Sequence, residues 1–243
     1  MIRPIKIANS KFTNNYGAMF DLSSGNIALT NFPTQLMVNN STFIKNTPFS
    51  KALLVVNENC KTYVYNSQFL ENYSISRGSI IMADYQETEN YFENCTFLNN
   101  SASVGGVFYT QFGSMIDCAN CTVENNFGIK GGVVYTSNDG FIRFRKGSKI
   151  RWNKSLYSSI LVTLSSPTSY TEFTDTYISN NTLLTLNDFI DNTTYTINMT
   201  VKDLSYLKPD FLSYLLANNV SIQNSVQLGL IYALNSISSN LKF

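Results

Sequence analysis

A phenylalanine followed three residues later by asparagine recurs along this chain at a nearly fixed interval, and that recurrence limits the fold more than any other feature. The clear copies are Phe12-Thr13-Asn14-Asn15, Phe43-Ile44-Lys45-Asn46, Phe69-Leu70-Glu71-Asn72 and Phe97-Leu98-Asn99-Asn100. Val123 with Asn126, Ile150 with Asn153 and Ile178 with Asn181 hold the same register. Successive anchors stand 31, 26, 28, 26, 27 and 28 residues apart, a repeat of about 27 residues. A second block follows each anchor in phase. It is clearest as Gly105-Gly106-Val107-Phe108-Tyr109 and Gly131-Gly132-Val133-Val134-Tyr135, with weaker copies at Gly78-Ser79-Ile80-Ile81, Ala52-Leu53-Leu54-Val55 and Ser159-Ile160-Leu161-Val162.

A unit this short cannot bury a face alone, so neighbouring copies must stack. The 31 Asn, 17 Phe and 15 Tyr favour strands joined at tight corners over helices. The chain therefore predicts an all-β fold, a right-handed parallel β-helix with coils of about 27 residues and three short strands per coil. Evenly filled, the 243 residues would make nine coils. Its interior would hold ladders of like residues, Phe on Phe at the anchor and Asn on Asn at a corner. Glycine at the start of the second block would mark a corner of positive φ or close backbone approach. The competing fold is an antiparallel sandwich, for which Ser137-Asn138-Asp139-Gly140 supplies a hairpin-like turn. The preceding copy, Gln111-Phe112-Gly113, lacks that turn. After Asn181 the register loosens, and residues 182–217 read as an insertion or irregular coil, with a strand-like stretch at Thr193 to Val201 and a short helix around Pro209. Asn218 to Ile222 and Gly229 to Tyr232 recover the look of a coil.

Paired Phe-x-x-Asn and Gly-Gly-[Ala/Val] motifs resemble the repeats of the polymorphic outer-membrane proteins of chlamydiae. They are similar also to the Asn-rich pectin-lyase-like surface proteins of ciliates and other protists. The resemblance runs from Phe12 to Asn181, with Val107 and Val133 where alanine is usual. It implies a β-helix used as an adhesin or surface stalk. The cleavage region, membrane barrel and export signal of the chlamydial family have no counterpart in this sequence, so residues 1–243 are expected to be one β-helix domain and a fragment of a larger protein.

Chemistry is constrained first by the complete lack of histidine, which excludes imidazole bases and His-containing zinc sites. A net charge of +1 gives no overall pull toward nucleic acid. No run of about 18 apolar residues is present to span a membrane. Polysaccharide hydrolysis on such a solenoid would need paired carboxylates, and the acids are scattered; stacking could bring Asp84 near Asp117 or Asp139. Lyase chemistry would need acids for calcium beside a base such as Arg143, Arg145 or Arg151. No catalytic residue, metal or cofactor is therefore expected. Cys118-x-x-Cys121 lacks the second pair of a zinc site. Cys95 and Cys121, each two residues before an anchor, should stack at a spacing that suits either a disulfide or a ladder of reduced thiols.

One basic run stands out. Six of the 17 basic residues fall between Arg143 and Lys154. Arg143, Arg145, Lys149, Arg151 and Trp152 form the candidate binding strip, suited to an anionic glycan or an acidic protein surface; the alternative is a solvated strand face. Sequons begin at Asn39, Asn40, Asn72, Asn94, Asn99, Asn120, Asn153, Asn180, Asn192, Asn198 and Asn219. Together these features predict a non-catalytic structural or adhesive solenoid, extracellular or on a cell surface within a larger membrane glycoprotein. The alternative is a glycan-binding or polysaccharide-processing β-helix.

Overall fold

A computed structural model describes residues 4–23, 33–49 and 51–156 throughout, with residues 174–177, Asn181 and the backbone of further strands as far as Gln223. Every strand pairing among the described residues is parallel, and no helix occurs among them. This is a parallel β-solenoid with coils of about 27 residues, and the sandwich is excluded.

From Cys60 onward a coil uses four short strands arranged in three sheets, one strand more than the repeat suggests; the two coils before it have three, with only the isolated bridge between Tyr16 and Thr47 at the fourth place. A five- or six-residue strand such as Glu89–Glu93 leads through a corner into a three-residue anchor strand such as Thr96–Leu98, and both belong to one sheet. The corner residues Asn9, Asn40, Asn66, Asn94 and Asn120 have φ of 47–55°. Asparagine reaches this left-handed region at lower cost than most residues, so the chain bends there without leaving the sheet. Ser101–Val104 and Phe108–Thr110 complete the coil, one in a five-stranded and one in a seven-stranded sheet.

The anchor column forms as the repeat requires. Phe12, Phe43, Phe69 and Phe97 stack nearly parallel, with ring centroids 4.9, 4.8 and 5.1 Å apart. Phe97 lies opposite Phe69 on one side and Val123 on the other. Burying each ring contributes about 1.5–3 kcal/mol. Three residues on, Asn15, Asn46, Asn72, Asn100, Asn126, Asn153 and Asn181 form a second column. The backbone N–H and side-chain amide of Asn72 both donate to Asn100 Oδ1, at 3.0 and 2.9 Å, while its second amide hydrogen goes to Phe43 O at 3.0 Å. A third column precedes the anchor: Ser10, Ser41, Ser67, Cys95, Cys121, Ser148 and Thr176. In it Ser67 Oγ donates to Tyr65 O at 2.7 Å, and Cys95 Sγ to Glu93 O at 3.4 Å.

Glycine behaves as the second block demands. Gly105 has φ +62°, and a Cβ there would stand 2.3 Å from Phe108 O. At Gly106 the obstacle is the neighbouring coil, Gly132 O at 2.1 Å. The Ser137–Gly140 turn closes with Gly140 N–H donating to Ser137 O at 2.9 Å. It joins strands of two different sheets rather than a hairpin, because Val134–Thr136 and Phe141–Arg145 each pair with the coils before and after.

Within residues 182–217 the chain keeps stacking in shorter coils. Tyr195–Lys202 lies parallel to Tyr170–Ser179, and Leu216–Asn218 and Ser221–Gln223 lie parallel to Tyr195–Lys202. Ile178 faces Val201, which faces Ile222, so the step between stacked positions falls to 23 and then 21 residues. Of the short helix expected from Tyr206 to Leu216, residues 206–215 lie outside the described residues, and Leu216 opens the strand Leu216–Asn218 instead; the second-block copy at 229–232 also lies outside the described residues.

Candidate functional site

The outward positions of the long sheet carry the basic strip. Arg143 and Arg145 alternate with inward Ile142 and Phe144, and Arg143 lies directly opposite Asp117. Asp117, only 1% exposed, accepts from both guanidinium groups, with Arg145 Nε at 2.8 Å from its Oδ1. Arg151 clamps Glu124 one coil earlier and stacks over the Trp152 ring at 4.4 Å. Burial of Asp117 is possible because two cations satisfy it; a single buried carboxylate without them would be costly. The arginines therefore hold neighbouring coils together, and Lys149 and Trp152 are what the strip exposes most directly.

Asp84 and Asp117 do not converge, and Asp139 is not stacked on Asp84. Asp84 follows the strand Ile81–Ala83 of one sheet, whereas Asp117 lies on another. The places stacked on Asp84 belong to Gln111 and Ser137: Gln111 N–H donates to Ala83 O and Ser137 N–H to Thr110 O. Gln111 Nε2 donates to Asp84 Oδ2 at 3.0 Å, and Tyr109 O–H donates to Gln111 Oε1 at 2.6 Å. Asp84 is thus a buried acceptor within a polar cluster.

The four cysteines are free and buried, and Cys95 and Cys121 stand one above the other, with Thr122 N–H donating to Cys95 O at 2.9 Å. The hydrogen bond with Cys121, together with burial, raises the Cys95 thiol pKa. Burial and Cys118 raise that of Cys121. These thiols are held protonated and act as packing groups.

A second basic feature escaped the sequence reading. Arg77 and Lys130 are 53 residues apart yet sit two coils apart in one column, each paired with the position of Val104. Arg77 lies 5.0 Å above the Tyr109 ring and Lys130 5.3 Å above the Tyr135 ring, and the two tyrosines stack at 5.4 Å and 4°. Neither cation forms an ion pair among the described residues. Burial raises the Tyr109 pKa, against the opposing effect of Arg77. The available signal was the basic residue immediately before the second-block glycine, in Arg77-Gly78 and Lys130-Gly131.

No protein-family model matches the chain. It is similar to a metabotropic glutamate receptor-like protein R of Dictyostelium discoideum, 29% identical over 116 residues, which cover 45% of this chain and 7% of that protein. No helix among the described residues is long and apolar enough to cross a membrane.

Proposed function

We propose that this chain is a non-catalytic structural and adhesive solenoid segment of a larger cell-surface protein. The observation that carries the proposal is the set of three side-chain columns, phenylalanine, asparagine and serine or cysteine, which bind coil to coil and leave the outward faces for contact. Stiffness built this way suits a spacer that presents surfaces. The finer likeness to chlamydial and protist surface repeats, and a small matching region within a much longer receptor-like protein, support the same reading. Anionic glycans or acidic protein surfaces are its proposed partners.

Sequon placement sharpens the proposal. Asn40, Asn94 and Asn120 are exposed at left-handed corners, whereas Asn72 and Asn153 are fully buried in the inner column. Secreted from eukaryotic cells, the protein should carry N-glycans on the exposed set and none on the buried pair. Beads coated with it should adhere to cells above albumin-coated beads, and incubation with polyuronate should release no unsaturated product. Glycans at Asn72 or Asn153 would contradict the division into exposed and buried sequons. Adhesion no higher than albumin, or lyase product, would overturn the function.

A further inference from the structure

The position after each inner asparagine points outward on the five-stranded sheet, and its occupants change from coil to coil. Tyr73, Ser101 and Phe127 are successive partners in register. The next outward positions are Ile75, Ser103 and Ile129, and the strands end at Arg77, Val104 and Lys130. Two bulky rows therefore flank a row of serines. Ser103 Oγ donates to Ile75 O at 2.7 Å, which ties the low row to one wall.

Walls two strands apart are separated by about 9.6 Å. In the phenylalanine column of this protein, rings stack at 4.8–5.1 Å. The row between Tyr73 and Phe127 thus leaves room for one added ring. Both isoleucines are exposed, Ile75 by 52% and Ile129 by 39%, as is Tyr73 by 47%. No acidic residue lies on the three strands. The nearby Asp84 carboxylate is buried under Gln111 and Tyr109, leaving Arg77 and Lys130 as the exposed charge at one end of the trough.

We infer that this trough binds an extended peptide segment carrying a ring side chain and an aliphatic side chain at alternate positions, followed by a carboxylate that reaches the cations where the strands end. An extended strand presents every second residue to one face. Its ring would enter the slot above Ser101 and its aliphatic side chain would lie between Ile75 and Ile129. Its carboxylate would meet Arg77 and Lys130. Aliphatic walls favour a peptide over a sugar chain, whose hydroxyl groups would face apolar side chains there. The trough lies on a different sheet from the Arg143 strip; the strand Tyr73–Arg77 holds one extra residue between its Ser74 and Arg77 pairings, so Ile75 and Arg77 remain at the trough while the register shifts.

The test is fluorescence anisotropy with the labelled peptide acetyl-Ser-Phe-Ser-Val-Ser-Glu-Ser-amide and the whole chain. Saturable binding that weakens with salt is expected, and exchanging the peptide's Glu for Gln should reduce affinity about tenfold. Ser101→Phe should fill the slot and abolish binding while the thermal midpoint is retained. Should that variant misfold, Ser103→Leu blocks the trough between the isoleucines instead. Arg77→Gln with Lys130→Gln should remove most of the salt dependence. Absence of peptide binding, unchanged binding in a folded slot-filled variant, or capture of a heparin oligosaccharide in place of the peptide would overturn the inference.

Discussion

The inner asparagines from Asn15 to Asn181 and the corner asparagines from Asn9 to Asn120 flank the same three-residue strands, yet they meet different physical demands. An inner residue such as Asn100 is fully buried and uses its whole amide: its Oδ1 accepts from the backbone and side chain of Asn72, and its Nδ2 donates to Asn126 and to Phe69 O. A corner residue such as Asn94 is exposed, and its side-chain contacts run to Asn66 and Asn120 at 3.2 and 2.8 Å. Its indispensable property is a backbone φ of +55°. The inner position stays asparagine in every coil from Asn15 to Asn181, whereas the corner passes to Gly147 and Asp175. Buried hydrogen-bond capacity admits few substitutes; a left-handed corner admits several.

Substitution should separate the two columns. Asn100→Ala leaves the donors of Asn72 and the carbonyl of Phe69 without partners inside the core, and should cost about 3–5 kcal/mol in urea unfolding, since each unsatisfied buried group costs roughly 1–3. A loss below about 1 kcal/mol would show that water enters the column. Asn94→Ala should cost only about 1 kcal/mol, the penalty for placing an alanine in a left-handed corner, and Asn94→Gly should restore most of it. Equal losses at Asn94 and Asn100 would erase the distinction.

The smallest change is expected at Cys95. Serine already fills the same column at Ser41, Ser67 and Ser148 with equivalent bonds to the preceding carbonyls, so Cys95→Ser should leave the thermal midpoint nearly unchanged at neutral pH. Alkaline pH should reveal the difference. The Cys95 and Cys121 thiols have folded pKa values above the ordinary 9.0. Their contribution is therefore complete below pH 9 and lost as pH rises toward the folded values. Replacing both by serine should delay the alkaline fall in thermal midpoint until tyrosines titrate. Among them is Tyr91, pushed up to about 12 by burial and its bond to Glu89. An unchanged alkaline profile would remove the thiols from that account.

Phe97, Asn100 and Gly105 could be placed from sequence because stacking forces equivalent residues onto equivalent sites, so spatial contact appears as a fixed interval. Contacts on the outward faces lack that support. Asp117 and Arg143 are 26 residues apart, one coil, yet their opposite charges do not look like copies of one motif. The Arg143 strip was recognised as a run of positive charge, without the acids that the coil before supplies. Arg77 and Lys130 went unnoticed for the converse reason, since each is a lone basic residue until the solenoid aligns them on Tyr109 and Tyr135. The fourth strand in the coils from Cys60 onward was hidden because corner residues such as Asn94 bend the chain while preserving the sheet. After Ile178 the strand-like stretch to Val201 and the coil-like look of Asn218 to Ile222 were legible, but their shortened step was not, because Leu204 and Ser225 replace the asparagine three residues on.

The inner asparagine bonds also give the stack a direction in time. The backbone N–H of each column member donates to the Oδ1 of the member in the next coil, from Asn46 through Asn153. During synthesis a newly closed coil would hold two donors toward a residue the ribosome has not yet delivered. Each arriving turn would satisfy its predecessor and create the same demand for its successor. Assembly would then advance like a zipper with one open tooth, and a translational pause would expose the same small polar end wherever in the repeat it occurred.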